Sequence, residues 1–127
     1  MKYGFSKTTD YGFEQAVEKV TEELKKEGFG ILTTIDVKET LKKKIDVDFK
    51  KYTILGACNP KLAHGALQVE EELGLLLPCN VIVYEKDGKS VVSVFDPNIM
   101  AYLIDNPQIK SVAEEVKSKL ETALQAV

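Results

Sequence analysis

The chain is short of nearly everything that signals a familiar chemistry. With only two cysteines in 127 residues, it has no disulfide scaffold to lean on, and an unexported chain keeps such residues as thiols. His64 is the only histidine, so a histidine-based centre would have a single imidazole to work with. No apolar run approaches the ~18 residues that would span a bilayer, and the longest stretches are strand-sized pieces such as Val81 to Tyr84. Met1 to Phe13 alternates polar and aromatic residues and lacks the continuous apolar core of a secretory signal, so the mature chain is expected to begin where it is written. Positive charge is in deficit as well: 17 basic against 20 acidic residues give a net charge of −3. Phosphate binding draws its affinity from a surplus of basic side chains, so no nucleic-acid partner is expected. Also missing are G-x-G-x-x-G, the Walker lysine loop, G-x-S-x-G and H-E-x-x-H, which removes sequence support for the common nucleotide, hydrolase and protease mechanisms. These absences point to a cytoplasmic protein with no membrane partner and no cofactor that can be named.

What remains is ordinary globular material. A hydrophobic fraction of 44% with 29% charged residues can bury a core, and this length suits one domain, residues 1–127. Tyr3 and Phe5 mark a short strand, followed by Thr8, Thr9 and Asp10 as candidate N-caps. Phe13, Ala16, Val17, Val20 and Leu24 recur at helical spacing against a charged face, and Gly28 stops that helix. Phe29 to Val37 alternates with the period of a strand, and Lys38 to Lys51 reads as a short helix and loop with Leu41, Ile45, Val47 and Phe49 as its apolar points. Tyr52 to Ala57 is a strand, and Asn59-Pro60 opens a helix expected to run to Gly74. Asp87-Gly88 between two β-rich runs predicts a type I′ hairpin joining Asn80–Lys86 to Ser90–Phe95. A short helical piece through Met100 and Leu103 precedes a last helix capped by Asn106-Pro107, whose apolar stripe is expected to cover the sheet. This order is too rich in hairpins for a doubly wound fold. It predicts an α+β protein, with helices packed on a mostly antiparallel curved sheet in the order strand, helix, strand, strand, helix, hairpin, helix.

Two boundaries carry the candidate chemistry: Cys58-Asn59-Pro60, with His64 about one turn beyond, and Cys79-Asn80. If Asn59 caps a helix, the nearby N–H groups would stabilise a Cys58 thiolate. Free cysteines are most often small buried hydrophobes, and that packing reading stands ahead of a reactive one. Two thiols and one imidazole could also furnish three soft ligands to a metal, although the spacing matches no standard zinc site. Asp96-Pro97 reads first as a turn, and Lys42 to Lys44 as a solvated face.

Gly56-Ala57-Cys58-Asn59-Pro60, Leu76-Leu77-Pro78-Cys79-Asn80-Val81, Asp96-Pro97 and Gly28-Phe29-Gly30 together resemble the domain-of-unknown-function 302 family over most of the chain. The resemblance implies a TATA-binding-protein-like α+β arrangement without implying DNA binding, and it assigns no reaction. Three readings follow. The first is a small module binding a metal or small ligand through Cys58, Asn59, His64, Cys79 and Asn80, which co-purified metal or a ligand-sized cavity there would favour. The second is an interaction protein, expected as a homodimer, because a sheet with one helical layer leaves an apolar surface to cover. The third, an enzyme with a Cys58 nucleophile, ranks last, since only His64 could serve as a histidine base.

Overall fold

The computed structural model describes residues 2–127 as β1 (Gly4–Thr9), α1 (Phe13–Lys26), β2 (Gly30–Asp36), α2 (Val37–Ile45), β3 (Tyr52–Cys58), α3 (Pro60–Val69), a 3-10 turn (Glu71–Leu76), β4 (Cys79–Lys86), β5 (Lys89–Phe95), α4 (Asn98–Leu103) and α5 (Pro107–Gln125). The strands form one sheet in the order β1-β5-β4-β3-β2, antiparallel throughout, so β1 and β2 are its edges. The α+β class with an antiparallel sheet is therefore as the residue pattern predicts.

Local chemistry accounts for most boundaries. Asp87 and Gly88 both adopt positive φ, +52° and +76°, as a type I′ turn requires, and lock the β4–β5 register. Gly28, at φ +87°, ends α1: its N–H donates to the Lys25 carbonyl and that of Phe29 to the Leu24 carbonyl. The Asn59 and Asn106 side chains accept from the Leu62 and Gln108 amides, with proline at the next position in each case.

Two expectations are corrected. The residue capping α1 is Gly12, without a side-chain hydrogen bond, because Thr8 and Thr9 are still in β1, where Thr9 Oγ1 donates to the Ser90 carbonyl. The helix begun at Pro60 stops at Val69, not Gly74. Asn106 Nδ2 takes the Val69 carbonyl at 2.9 Å, and the 3-10 turn that follows turns Leu73 into the core.

Side-chain alternation sends Leu55, Ala57, Cys79, Val81, Val83, Val92 and Val94 to one face, where α1 and α5 pack on them through Ala16, Val20, Leu24, Val116 and Leu120. A second cluster, Ala66, Leu73, Met100, Ile109 and Ala113, joins α3, the 3-10 turn and α4 to the start of α5. The opposite face of the sheet has no helix of the α1–α5 layer upon it. The β2–α2 segment is different again: between Phe29 and Thr53 no residue is buried. Among the described residues, no helix is long and apolar enough to cross a membrane.

Candidate functional site

Cys58 ends β3 and is half-buried, while Cys79 begins β4, opposite Ala57, and is 5% exposed. Both line one cleft with Asn59, Phe29, Leu62 and Met100. Its volume is about 30 Å³, room for little more than a water, whereas ligand sites usually run to ~300 Å³ or more. Burial, and secondarily the neighbouring Cys58, pushes the Cys79 thiol up to about 11, so it stays protonated at neutral pH. A protonated thiol is a poor nucleophile.

The other predicted site residues do not converge there. His64 is exposed on α3, whose inward side is made by Leu62, Ala63 and Ala66, so its imidazole points away from the thiols. Asn80 follows Cys79 in a strand and therefore projects from the opposite face of the sheet, where it is exposed. Among the described residues, no three His, Cys, Asp or Glu side chains gather into a metal-holding group. The five-residue site expected from the sequence thus reduces to Cys58, Asn59 and Cys79 around a small apolar void.

The conspicuous motifs turn out to hold the fold together. Asn59 Oδ1 caps α3, while Asn59 Nδ2 donates to the Glu27 carbonyl at 3.4 Å, tying the end of α1 to the start of α3. A Cβ at Gly28 would come within 2.9 Å of that same Nδ2, so Gly28 is required both by its positive φ and by Asn59. A Cβ at Gly56 would strike Thr33 Oγ1 and approach Pro78 Cγ to 2.8 Å, which explains why glycine faces that proline. Asp96 accepts from the Asn98 amide at the entry to α4 and pairs with Lys117 of α5 at 3.1 Å.

A larger concavity, about 1030 Å³, opens on the sheet face away from the helices. Tyr52 and Tyr84, cross-strand partners on β3 and β4, stack with centroids 5.4 Å apart at 13°, and Phe49 tilts against Tyr52 at 6.2 Å. Lys50 Nζ lies 4.9 Å from the centre of the Tyr84 ring. Tyr3, Lys2 and Lys86 complete the rim, and Ser6 and Ser93 share a 2.8 Å hydroxyl hydrogen bond on the floor. Burial, then the neighbouring Tyr84 and Tyr3, raises the Tyr52 phenol above its ordinary range. Sequence reasoning passed over these residues. Their one signal was the period of two, which places Tyr52 with Ile54, and Ile82 with Tyr84, on the face opposite Leu55, Val81 and Val83.

The family model described as "Domain of unknown function DUF302" matches residues 5–127. The structure is similar to the crystal structure of uncharacterized conserved protein DUF302 from Bacillus stearothermophilus, with a TM-score of 0.92 and 28% sequence identity, covering 99% of this chain and 98% of that one. No curated protein matches the chain.

Proposed function

The chain belongs to the DUF302 family, and on that premise we propose that it is a self-associating interaction module, a homodimer joined through the β2–α2 arm, with no chemistry at its cysteines. One observation carries this reading: from Gly30 to Tyr52 a complete strand and a complete helix form without burying a single residue. An isolated helix of nine residues is marginal in water, and helices in proteins owe most of their stability to a packed apolar face. Val37, Leu41 and Ile45 make such a stripe on α2, and Leu32, Ile35, Val47 and Phe49 are further apolar side chains left exposed in the same segment. Leu32 is 66% exposed and Ile45 63%, in a region where a soluble monomer would gain by covering them.

A second copy is an occupant that the charge pattern permits. The arm carries both signs in equal number, Lys38, Lys42, Lys43 and Lys44 with Asp36, Glu39, Asp46 and Asp48, and Lys42 pairs with Asp46 and Asp48 and Lys43 with Glu39 within the chain, so a near-neutral arm does not repel a second copy. Leu32 lies at the register shift between Ile31 and Thr33, a bulge that interrupts the edge of β2. Contact therefore rests on side chains rather than on a continued sheet. Covering Leu32, Ile35, Ile45, Val47 and Phe49 contributes about 1–2 kcal/mol each, because each is already partly shielded. Roughly 10–20 kcal/mol from two copies exceeds or matches an association cost of ~4–15 kcal/mol. The two free thiols support a reducing, cytoplasmic setting, and the acidic balance supports a protein partner over nucleic acid.

Sedimentation equilibrium or light scattering tests the reading. The expected result at micromolar concentration is twice the 14.1 kDa chain mass, falling to the single mass in Ile45→Glu and Leu32→Glu variants whose circular dichroism is unchanged. A wild-type chain that stays monomeric at about 100 µM sinks it.

A further inference from the structure

We infer that the open concavity over β1, β5, β4 and β3 is a binding site for a small anionic aromatic ligand, a flat ring carrying one phosphate, sulfonate or carboxylate group. This goes beyond self-association and uses different residues, meeting the arm only at Phe49 and Lys50. In a chain of net charge −3, the lining of this concavity holds Lys2, Lys50 and Lys86 and no carboxylate among the described residues. None of those three lysines forms an ion pair with a described carboxylate, a state they share with Lys25, Lys38, Lys44, Lys61, Lys110 and Lys119. What sets the hollow apart is that its lining gathers three lysines and no acid.

The hollow's interior is aromatic. Tyr52 and Tyr84 stack on each other, with Phe49 against Tyr52 and Lys50 over Tyr84, so the cluster offers a planar guest chiefly its ring edges, with Tyr3 on the rim. Ile82 fills the apolar floor between them; Ser93 Oγ donates to the Phe5 carbonyl at 3.4 Å, so Ser6 Oγ donates to Ser93 Oγ and the pair keeps acceptor positions, not a donor, for a polar substituent. At about 1030 Å³ the space takes one such molecule with its water, while the Cys58–Cys79 void at about 30 Å³ takes none. The chain has no arginine, so the anion is held by point charges and not by a bidentate fork. Lys50 lies over the Tyr84 ring, and Lys2 and Lys86 line the hollow beside it.

Phenyl phosphate is the probe, titrated by calorimetry and by amide shifts in nitrogen-15 spectra of the full chain, with phenol and inorganic phosphate as its separated halves. The expected result is saturable binding of one molecule per chain, shifts confined to β1, β4, β5 and residues 49–52, and much weaker binding of either half alone. Lys50→Gln combined with Lys86→Gln, both at exposed positions, should weaken binding about tenfold without altering the fold, and added salt should weaken it too. Ile45→Glu should leave the affinity unchanged, so failure of the dimer and failure of this site are told apart. Absence of saturation at 10 mM probe, unaltered affinity in the double lysine variant, or shifts centred on Cys58 and Cys79 would each overturn the assignment.

Discussion

Replacing Gly28 by alanine puts the packing role of the family motifs to a quantitative test. At φ +87° an alanine pays the left-handed penalty of roughly 1–2 kcal/mol. Its Cβ would also stand 2.9 Å from Asn59 Nδ2, so the Asn59 amide must rotate away. That rotation gives up the donation to the Glu27 carbonyl and the cap on the Leu62 amide, both 3.4 Å bonds and therefore worth only about 0.5 kcal/mol apiece. The sum is about 2–3 kcal/mol for Gly28→Ala. Asn59→Ala alone should cost about 1–1.5 kcal/mol, mostly the lost cap. In the double variant the crowding is gone, since an alanine at 59 no longer reaches the new Cβ. The cycle should therefore fall about 1 kcal/mol short of additivity. Urea titration followed by circular dichroism, at one fixed protein concentration because a dimer's stability depends on it, measures all four corners. A chain of this length loses about 4 °C in Tm per kcal/mol, so Gly28→Ala should melt about 10 °C lower. Strict additivity, or a Gly28→Ala cost under about 0.5 kcal/mol, would refute the claim that Asn59 and Gly28 form one structural unit.

Two further outcomes follow from burial. With its thiol at about 11, Cys79 is about one part in a thousand thiolate at pH 8, so iodoacetamide should modify it at least about 100-fold more slowly in native than in unfolded protein, and after Cys58. Equal native rates at the two cysteines, read by mass spectrometry, would contradict that placement. A chain ending at Asp105 loses the buried Ile109, Ala113, Val116, Leu120, Ala123 and Leu124 and should not fold. Retention of the full-length melting temperature by that truncation would show α5 to be an appendage.

Self-association and ligand binding would meet at one place on this molecule. Phe49 and Lys50 end the arm that the second copy is proposed to cover, and they also form the rim of the aromatic hollow. Lys50 already lies 4.9 Å from the centre of the Tyr84 ring in the single chain, so the hollow is formed without a second copy and binding there should not depend on dimerisation.

Features that depend on neighbours a few residues apart could be read from the amino-acid order alone. The Asp87-Gly88 turn, the stop at Gly28, the caps at Asn59 and Asn106, and the stripes of α1 and α5 are local matters of φ, ψ and side-chain period, and each was legible. The end of α3 was not, because a side chain from position 106 takes the Val69 carbonyl. The candidate site misled for a related reason: Cys58, Asn59, His64, Cys79 and Asn80 are close in sequence, yet a strand sends successive residues to opposite faces and a helix turns His64 outward. The hollow was invisible because Lys2, Tyr3, Phe49, Tyr52, Tyr84 and Lys86 come from three distant stretches that only the β1-β5-β4-β3 strand order brings together. Strand order depends on which apolar faces can share one core, a choice made by long-range packing, and that packing sets where this protein keeps its open surface.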